Sequence, residues 1–295
     1  MNHILSKTIL NKTKRRDQWF LDDYTINPYS GCSFNCLFCY IRGSKYGEHM
    51  DRSLAVKDNA IELLDKQLSL RAKKKQYGII VVSSATEPYL QFEDELQMTR
   101  KILERILYYR FPVHIITRSN LVIRDFDILK EINQQAILPQ DLEGRLPAKA
   151  IITFSFSTLD DELGRIFEPG ATPPSQRLEC LETTIKAGFY SGVSLMPLLP
   201  SISDSSDALE LFYSTFGKAG AKYIFPASVT LFGDSSSSGK TLTLRAIEKY
   251  FPALIDQYQK LFSNGFQADK TYHNAFNSRV SAVKNKYNIP DRILI

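Results

Sequence analysis

The chain is short of cysteine, histidine and tryptophan, and it has no long apolar run. Four cysteines in 295 residues are too few for the disulfide framework of a small exported domain. No stretch of about 18 apolar residues occurs, which excludes a membrane-spanning helix by hydropathy. The opening "MNHILSKTILNKTKRR" has no apolar core followed by a small-residue cleavage site, so no secretory signal is read there. A cytoplasmic location with no membrane partner is expected. The histidines, His3, His49, His114 and His273, are scattered, and no two stand at a ligand spacing. Charge of one sign is also not in large excess, since 37 basic against 32 acidic residues leave +5. That balance suits a polyanionic partner such as nucleic acid without requiring one. Basic residues concentrate at Lys12 to Arg16 and Arg71 to Lys75; a flexible terminus and a solvated helix end are the plain readings.

What is present is a cluster. The stretch "NPYSGCSFNCLFCYIR", Asn27 to Arg42, places three of the four cysteines within eight residues. A structural zinc site usually pairs two Cys-x-x-Cys units, and no second unit follows. Three close thiolates suit an iron–sulfur cube, which normally takes four. With three, one iron keeps an open coordination site for a ligand that is not protein.

Periodicity supplies the setting. Short β-rich runs alternate with amphipathic helical patterns six times, which predicts an α/β fold with a parallel sheet of successive βα units. The expected strands are Tyr24 to Asn27, Ile79 to Ser83, Val113 to Thr117, Ile151 to Phe156, Tyr190 to Met196 and Tyr223 to Val229. Expected helical stripes are Val56, Ala60, Leu64 and Leu68; Leu96 to Arg110; Leu178, Leu181 and Ile185, closed by Gly188; and Leu211, Thr215 and Ala219, closed by Gly220. Helices around Leu244 to Tyr250, Leu254 to Phe262 and Asn274 to Tyr287 complete the chain. "GDSSSSGKT", Gly233 to Thr241, imitates a phosphate-binding loop but has five residues between its glycines where the motif needs four. It reads as a flexible serine loop.

Cys32-x-x-x-Cys36-x-x-Cys39, with Phe38 before the last cysteine, resembles the radical S-adenosylmethionine (radical SAM) signature. The resemblance implies an open, partial (β/α)6 TIM-like barrel with extra C-terminal helices. It also implies a 4Fe-4S cluster held by Cys32, Cys36 and Cys39, S-adenosyl-L-methionine on the open iron, and an external one-electron reductant of flavodoxin or ferredoxin type. The barrel would occupy 24–232, after a basic extension over 1–23 and before a loop and helical segment over 233–295. In parallel barrels ligands sit at the carboxyl ends of the strands. There Thr86 and Glu87 are expected to take the methionine ammonium, Arg118 its carboxylate, Ser155 and Ser157 the ribose or carboxylate oxygens, and Met196 and Leu198 the adenine, with Phe38 beside the cofactor. "SSATEPYLQFEDELQMTRKILE", "HIITRSNLVIRDFDIL", "FSFSTLDDELGRIFEPGATPPSQRLECL" and "GVSLMPLLPSISD" are similar to the spore photoproduct lyase-like group, often labelled DNA repair photolyases. That group implies nucleic acid as a possible substrate. Its lyase uses a thiol hydrogen donor, and Cys180, in the middle of a helical pattern, is expected to be a small apolar residue instead. Tyr40 and Tyr89 are the candidates for a hydrogen relay.

Overall fold

A computed structural model describes residues 1–43 and 54–294; His49 lies outside the described residues. The strands are β1 (Asn2–Ile4), β2 (Leu10–Lys12), β3 (Tyr24–Ile26), β4 (Tyr29–Ser30), β5 (Ala55–Lys57), β6 (Ile80–Val82), β7 (Val113–Thr117), β8 (Ala150–Phe156), β9 (Tyr190–Leu198) and β10 (Ile224–Ser228). The helices are α1 (Ala60–Lys73), α2 (Glu93–Leu96), α3 (Met98–Tyr108), α4 (Phe126–Gln135), α5 (Asp161–Phe167), α6 (Pro174–Lys186), α7 (Ser206–Ala219), α8 (Gly239–Tyr250), α9 (Ile255–Leu261) and α10 (Lys270–Tyr287).

The main sheet runs β10-β9-β8-β7-β6-β3-β2. Its neighbours are parallel from β10 to β3, and β2 adds antiparallel to β3. These are the six expected parallel strands, and the sheet stays open as an incomplete barrel. Strand β8 is buried at every position, as a central parallel strand covered on both faces must be. The open edge at β10 is covered, because Ile224 N–H donates to the Pro290 carbonyl at 2.9 Å, which blunts an otherwise exposed row of backbone groups. The largest core lies between the sheet and α1, α3, α4, α6 and α7. A second apolar cluster under the N-terminal ends of the strands joins Leu21, Ile79, Ile151, Tyr223, Phe225 and Ile293, with Trp19 and Phe20 against it. None of the helices described is long and apolar enough to cross a membrane.

Three local expectations are corrected. Val56 does not open the stripe of α1; it lies in β5, paired with His3 of β1 and Tyr29 of β4, and the helix buries Ala60, Leu64 and Leu68. The stripe from Leu96 to Arg110 is broken at Gln97, whose φ of 48° separates α2 from α3. On α7, Leu211 is 57% exposed, while Leu209, Phe212, Tyr213 and Phe216 are buried. Two apolar stripes overlap on that helix, and the aromatic one removes more surface from water. The basic N-terminal segment is also ordered by pairing: Lys12 sits in β2 opposite Tyr24, and Arg16 bridges Asp23 at 2.9 Å and Asp141.

Candidate active site

The three clustered cysteines lie on the loop that leaves the carboxyl end of β3. Neighbouring segments hold that loop by backbone contacts. Leu37 N–H donates to Phe167 O at 2.9 Å, and Gly170 N–H to Phe34 O at 2.9 Å. A β-carbon on Gly170 would stand 2.4 Å from Ser33 O, so only glycine permits this approach. Within the loop, Cys39 N–H donates to Cys36 O at 3.3 Å, and the buried Arg42 donates through Nε to the same carbonyl at 3.1 Å. On the far side Gly239 opens α8, where a β-carbon would come within 3.0 Å of Cys39 O. The serine-rich segment that imitates a phosphate loop therefore packs against the cysteine loop, with Ser238 capping α8 through Thr241 N–H.

Cys32, Cys36 and Cys39 line one cavity of about 410 Å³ and are free thiols. Burial pushes the Cys32 thiol up to about 12 and raises those of Cys36 and Cys39; Cys39 adds to the rise of Cys32, and Cys32 and Cys39 to that of Cys36. Arg118 opposes the rise at Cys36 and Cys39, and Arg42 at Cys39, without reversing it; a bound iron would supply the further positive charge that thiolates need. No three or more His, Cys, Asp or Glu side chains among the described residues converge as a single metal ion would need. In a cube each thiolate takes a different iron, so the donor set fits a polynuclear cluster better than one zinc ion.

The same cavity collects Phe38 and Tyr40 from the cysteine loop and Thr86, Glu87, Arg118, Ser155 and Met196 from the strands and the loops that follow them. Glu87 is buried. It accepts from Thr117 Oγ1, from Arg118 N–H at 2.9 Å and from Tyr89 N–H at 3.0 Å. Burial still raises its carboxyl to about 7 against those donors. Arg118 donates from Nη2 to Met196 O at 2.8 Å, and its guanidinium lies 5.9 Å from the centre of the Phe38 ring. Tyr40 donates to Ser84 O at 2.6 Å.

Two expected site residues, and the adenine neighbour Leu198, stand elsewhere. Ser157 does not line the cavity; its hydroxyl donates to Glu168 Oε1 at 2.6 Å. Tyr89 is buried outside the cavity, beside Arg124 and under the field of Asp125 and Glu93. Leu198 is fully buried in the core. In each case the side chain is turned to a packed partner rather than to the barrel interior, a choice that alternation along a strand cannot reveal where both faces are covered. Cys180 is buried in the core, its thiol 3.7 Å from Asn120 O, and is not among the cavity residues.

Sequence reasoning missed Glu168. Its carboxylate stands 3.4 Å from Arg118 Nε and also binds Arg177 Nη2, while Arg177 Nη1 donates to Ser155 O at 2.6 Å. Burial pushes Glu168 up, and the two guanidiniums more than reverse it. The only signal was its place in "FEPGATPP". Also missed on the lining were Ser83, Ser194, Ser228, Phe20 and Asp22.

Comparison with known proteins follows this geometry. The Radical SAM superfamily profile matches residues 26–212. An uncharacterized protein of Mycobacterium tuberculosis is 25% identical over 295 residues, spanning 98% of this chain and 81% of its own length. A radical SAM Nalpha-GlyT isomerase of Pseudomonas phage M6 is 23% identical over 194 residues, spanning 65% of this chain and 37% of its own length. Among solved structures, spore photoproduct lyase complexed with dinucleoside spore photoproduct is similar with a TM-score of 0.61 at 13% identity, over 97% of this chain and 78% of that one. At that identity the likeness is one of fold.

Proposed function

The chain belongs to the radical SAM superfamily, and on that premise we propose that Cys32, Cys36 and Cys39 hold one 4Fe-4S cluster beside a site for S-adenosylmethionine. The observation that carries the reading is that the three thiols, Glu87 and Arg118 line one cavity. When bound, the reduced cluster and S-adenosylmethionine supply a 5'-deoxyadenosyl radical that takes a hydrogen atom from a substrate. The chain's own residues bind and orient. Glu87 offers its carboxylate to an ammonium group. Arg118, held in place by Glu168 and Met196 O, neutralises a carboxylate through charge-assisted hydrogen bonds. Ser155 and Thr86 supply polar contacts, and Phe38 and Met196 shed water from the site. Residues 24–232 form the catalytic unit in this reading, with 1–23 as an extension that reaches its floor through Phe20 and Asp22 and 233–295 as a helical segment whose α8 meets the cysteine loop. A flavodoxin- or ferredoxin-type protein provides the electron.

Nucleic-acid repair or modification takes its support from what the similar proteins are named for. The basic segments Lys12 to Arg16 and Arg71 to Lys75 lend it no phosphate contacts near the site, since Lys12 pairs with the first residue of β3 and Arg71 to Lys75 precede the first residue of β6. Both stand at the amino ends of the strands, opposite the cysteine loop.

Anaerobic reconstitution is expected to give about four irons per chain and, under strong reduction, slow formation of 5'-deoxyadenosine without substrate. Alanine at Cys32, Cys36 or Cys39 removes both, whereas Cys180→Ala keeps both. Zinc without iron, or loss of the cluster in Cys180→Ala, refutes the assignment.

A further inference from the structure

The cavity has a second end. Cys32 follows the last residue of β3, Ile26, whereas Asp22 and Phe20 precede its first, Tyr24, yet all three line the same cavity. Asp22 is therefore separated from the cysteines by the length of the strand and lines the cavity at its floor, half-buried. Its carboxylate accepts one backbone N–H, from Asp17 at 2.8 Å. The cation nearest in sequence, Arg16, is committed to Asp23 and Asp141. Among the described residues that line the cavity, Arg118 is the one cation, and Met196 O and Glu168 already engage it. With Arg118 assigned to the carboxylate of S-adenosylmethionine, a second anionic group meets no further cation on the lining, while a cationic one meets Asp22. Phe20, whose ring packs on Phe225 and His114, is an aromatic residue of the same lining, and ring faces attract ammonium groups. The unpartnered buried hydroxyl of the lining, Ser83, follows the last residue of β6 and so belongs to the cofactor end, not to the floor. Buried hydroxyls are ordinarily satisfied.

We propose that the floor of the cavity is a substrate subsite in which Asp22, with Phe20, selects a substrate group bearing an ammonium charge. This deepens the radical SAM reading and rests on it for the other end of the cavity. Burial raises the Asp22 carboxyl above its ordinary value, and the Asp17 and Asp23 carboxylates add to that. A counter-charge from substrate relieves this repulsion. The substrate class is then an amine or a basic side chain, with the hydrogen to be abstracted on carbon held between Asp22 and the cofactor end.

The full chain, reconstituted with its cluster and supplied with S-adenosylmethionine, is titrated with n-butylamine, 1-butanol and butyrate, with binding followed by ligand-observed NMR. Butylammonium is expected to bind at least about tenfold more tightly than either analogue, and Asp22→Asn to weaken it by about tenfold or more, the loss of one charge-assisted contact. Asp22→Glu, which keeps the charge, should retain part of the preference. Equal binding of the three probes, no detectable binding of butylamine, or unchanged binding in Asp22→Asn overturns the subsite. Formation of 5'-deoxyadenosine by the wild-type protein without probe is measured on the same preparation. Butylamine selectivity in protein that makes no 5'-deoxyadenosine upholds the subsite and sinks the cofactor reading; the converse result sinks the subsite alone.

Discussion

Single residues in the barrel interior carry measurable electrostatics. His114 on β7 is fully buried, with Nδ1 2.7 Å from Phe20 O and Nε2 2.6 Å from Thr153 Oγ1, which is in turn 2.7 Å from the Tyr223 hydroxyl. Burial depresses its pKa from 6.5 to about 4, against the pull of the Phe20 carbonyl. The unfolded chain therefore binds a proton in a range where the folded chain does not, and stability falls as pH drops from about 6.5 toward 4. At about 1.4 kcal/mol per pH unit the loss from this one group is on the order of 3 kcal/mol. Urea unfolding at pH 7 and pH 5 should show the decline in the wild type and a smaller one in His114→Asn. Equal pH slopes in the two proteins would mean that His114 is not held neutral. The same scale explains which site residues were legible beforehand. The cysteines announce themselves by spacing, and Glu87 and Arg118 by standing just after strands. Glu168 and Asp22 do not, because each acquires its role only from the cations that are, or are not, beside it in space.

Elements matter here through how tightly they approach one another. The cysteine loop has little regular structure of its own and is placed by two outside contacts, the segment after α5 and the first turn of α8. Gly170 is the tighter of them, with no room for a methyl group against Ser33 O at 2.4 Å. In Gly170→Ala the loop must shift, and overpacking of this kind typically costs about 1 to 3 kcal/mol. The variant is expected to melt lower and to take up less iron on reconstitution, since the shift moves Cys32 and Cys36 together. Iron content equal to wild type would show that the contact does not position the loop. From sequence, "FEPGATPP" and "GDSSSSGKT" read as a family-like stretch and a flexible loop. Their packing on the cysteines follows from tertiary approach, which neither periodicity nor turn chemistry encodes.

At the level of the whole molecule, the open parallel sheet has two unlike faces. The cysteine loop and the polar strand ends converge at the carboxyl ends, while the amino ends carry the apolar plug around Trp19, Phe20 and Ile293 and the two basic segments. Neutralising Lys73, Lys74 and Lys75 together to glutamine should therefore leave cluster content and 5'-deoxyadenosine formation unchanged within about twofold, because charges on exposed side chains beyond a Debye length of about 8 Å are largely screened. Any weak retention on DNA would fall in that variant. A tenfold loss of S-adenosylmethionine cleavage would place these lysines in the catalytic unit after all.

The sequence by itself determined the six parallel strands, several of the helices between them and the grouping of three thiols on one loop, because these are written in short-range period and spacing; it did not show α4. Strand periodicity also located the polar groups of the carboxyl ends. Only the tertiary structure decided that Ser157 and Tyr89 turn away from the cavity, that Glu168 joins Arg118 to Arg177, and that Asp22 lines the cavity floor without a cation. Those outcomes depend on which side chains from distant segments meet in a low-dielectric interior, where one partner more or less changes the energy of a charge by several kcal/mol, and no local window of sequence contains both partners.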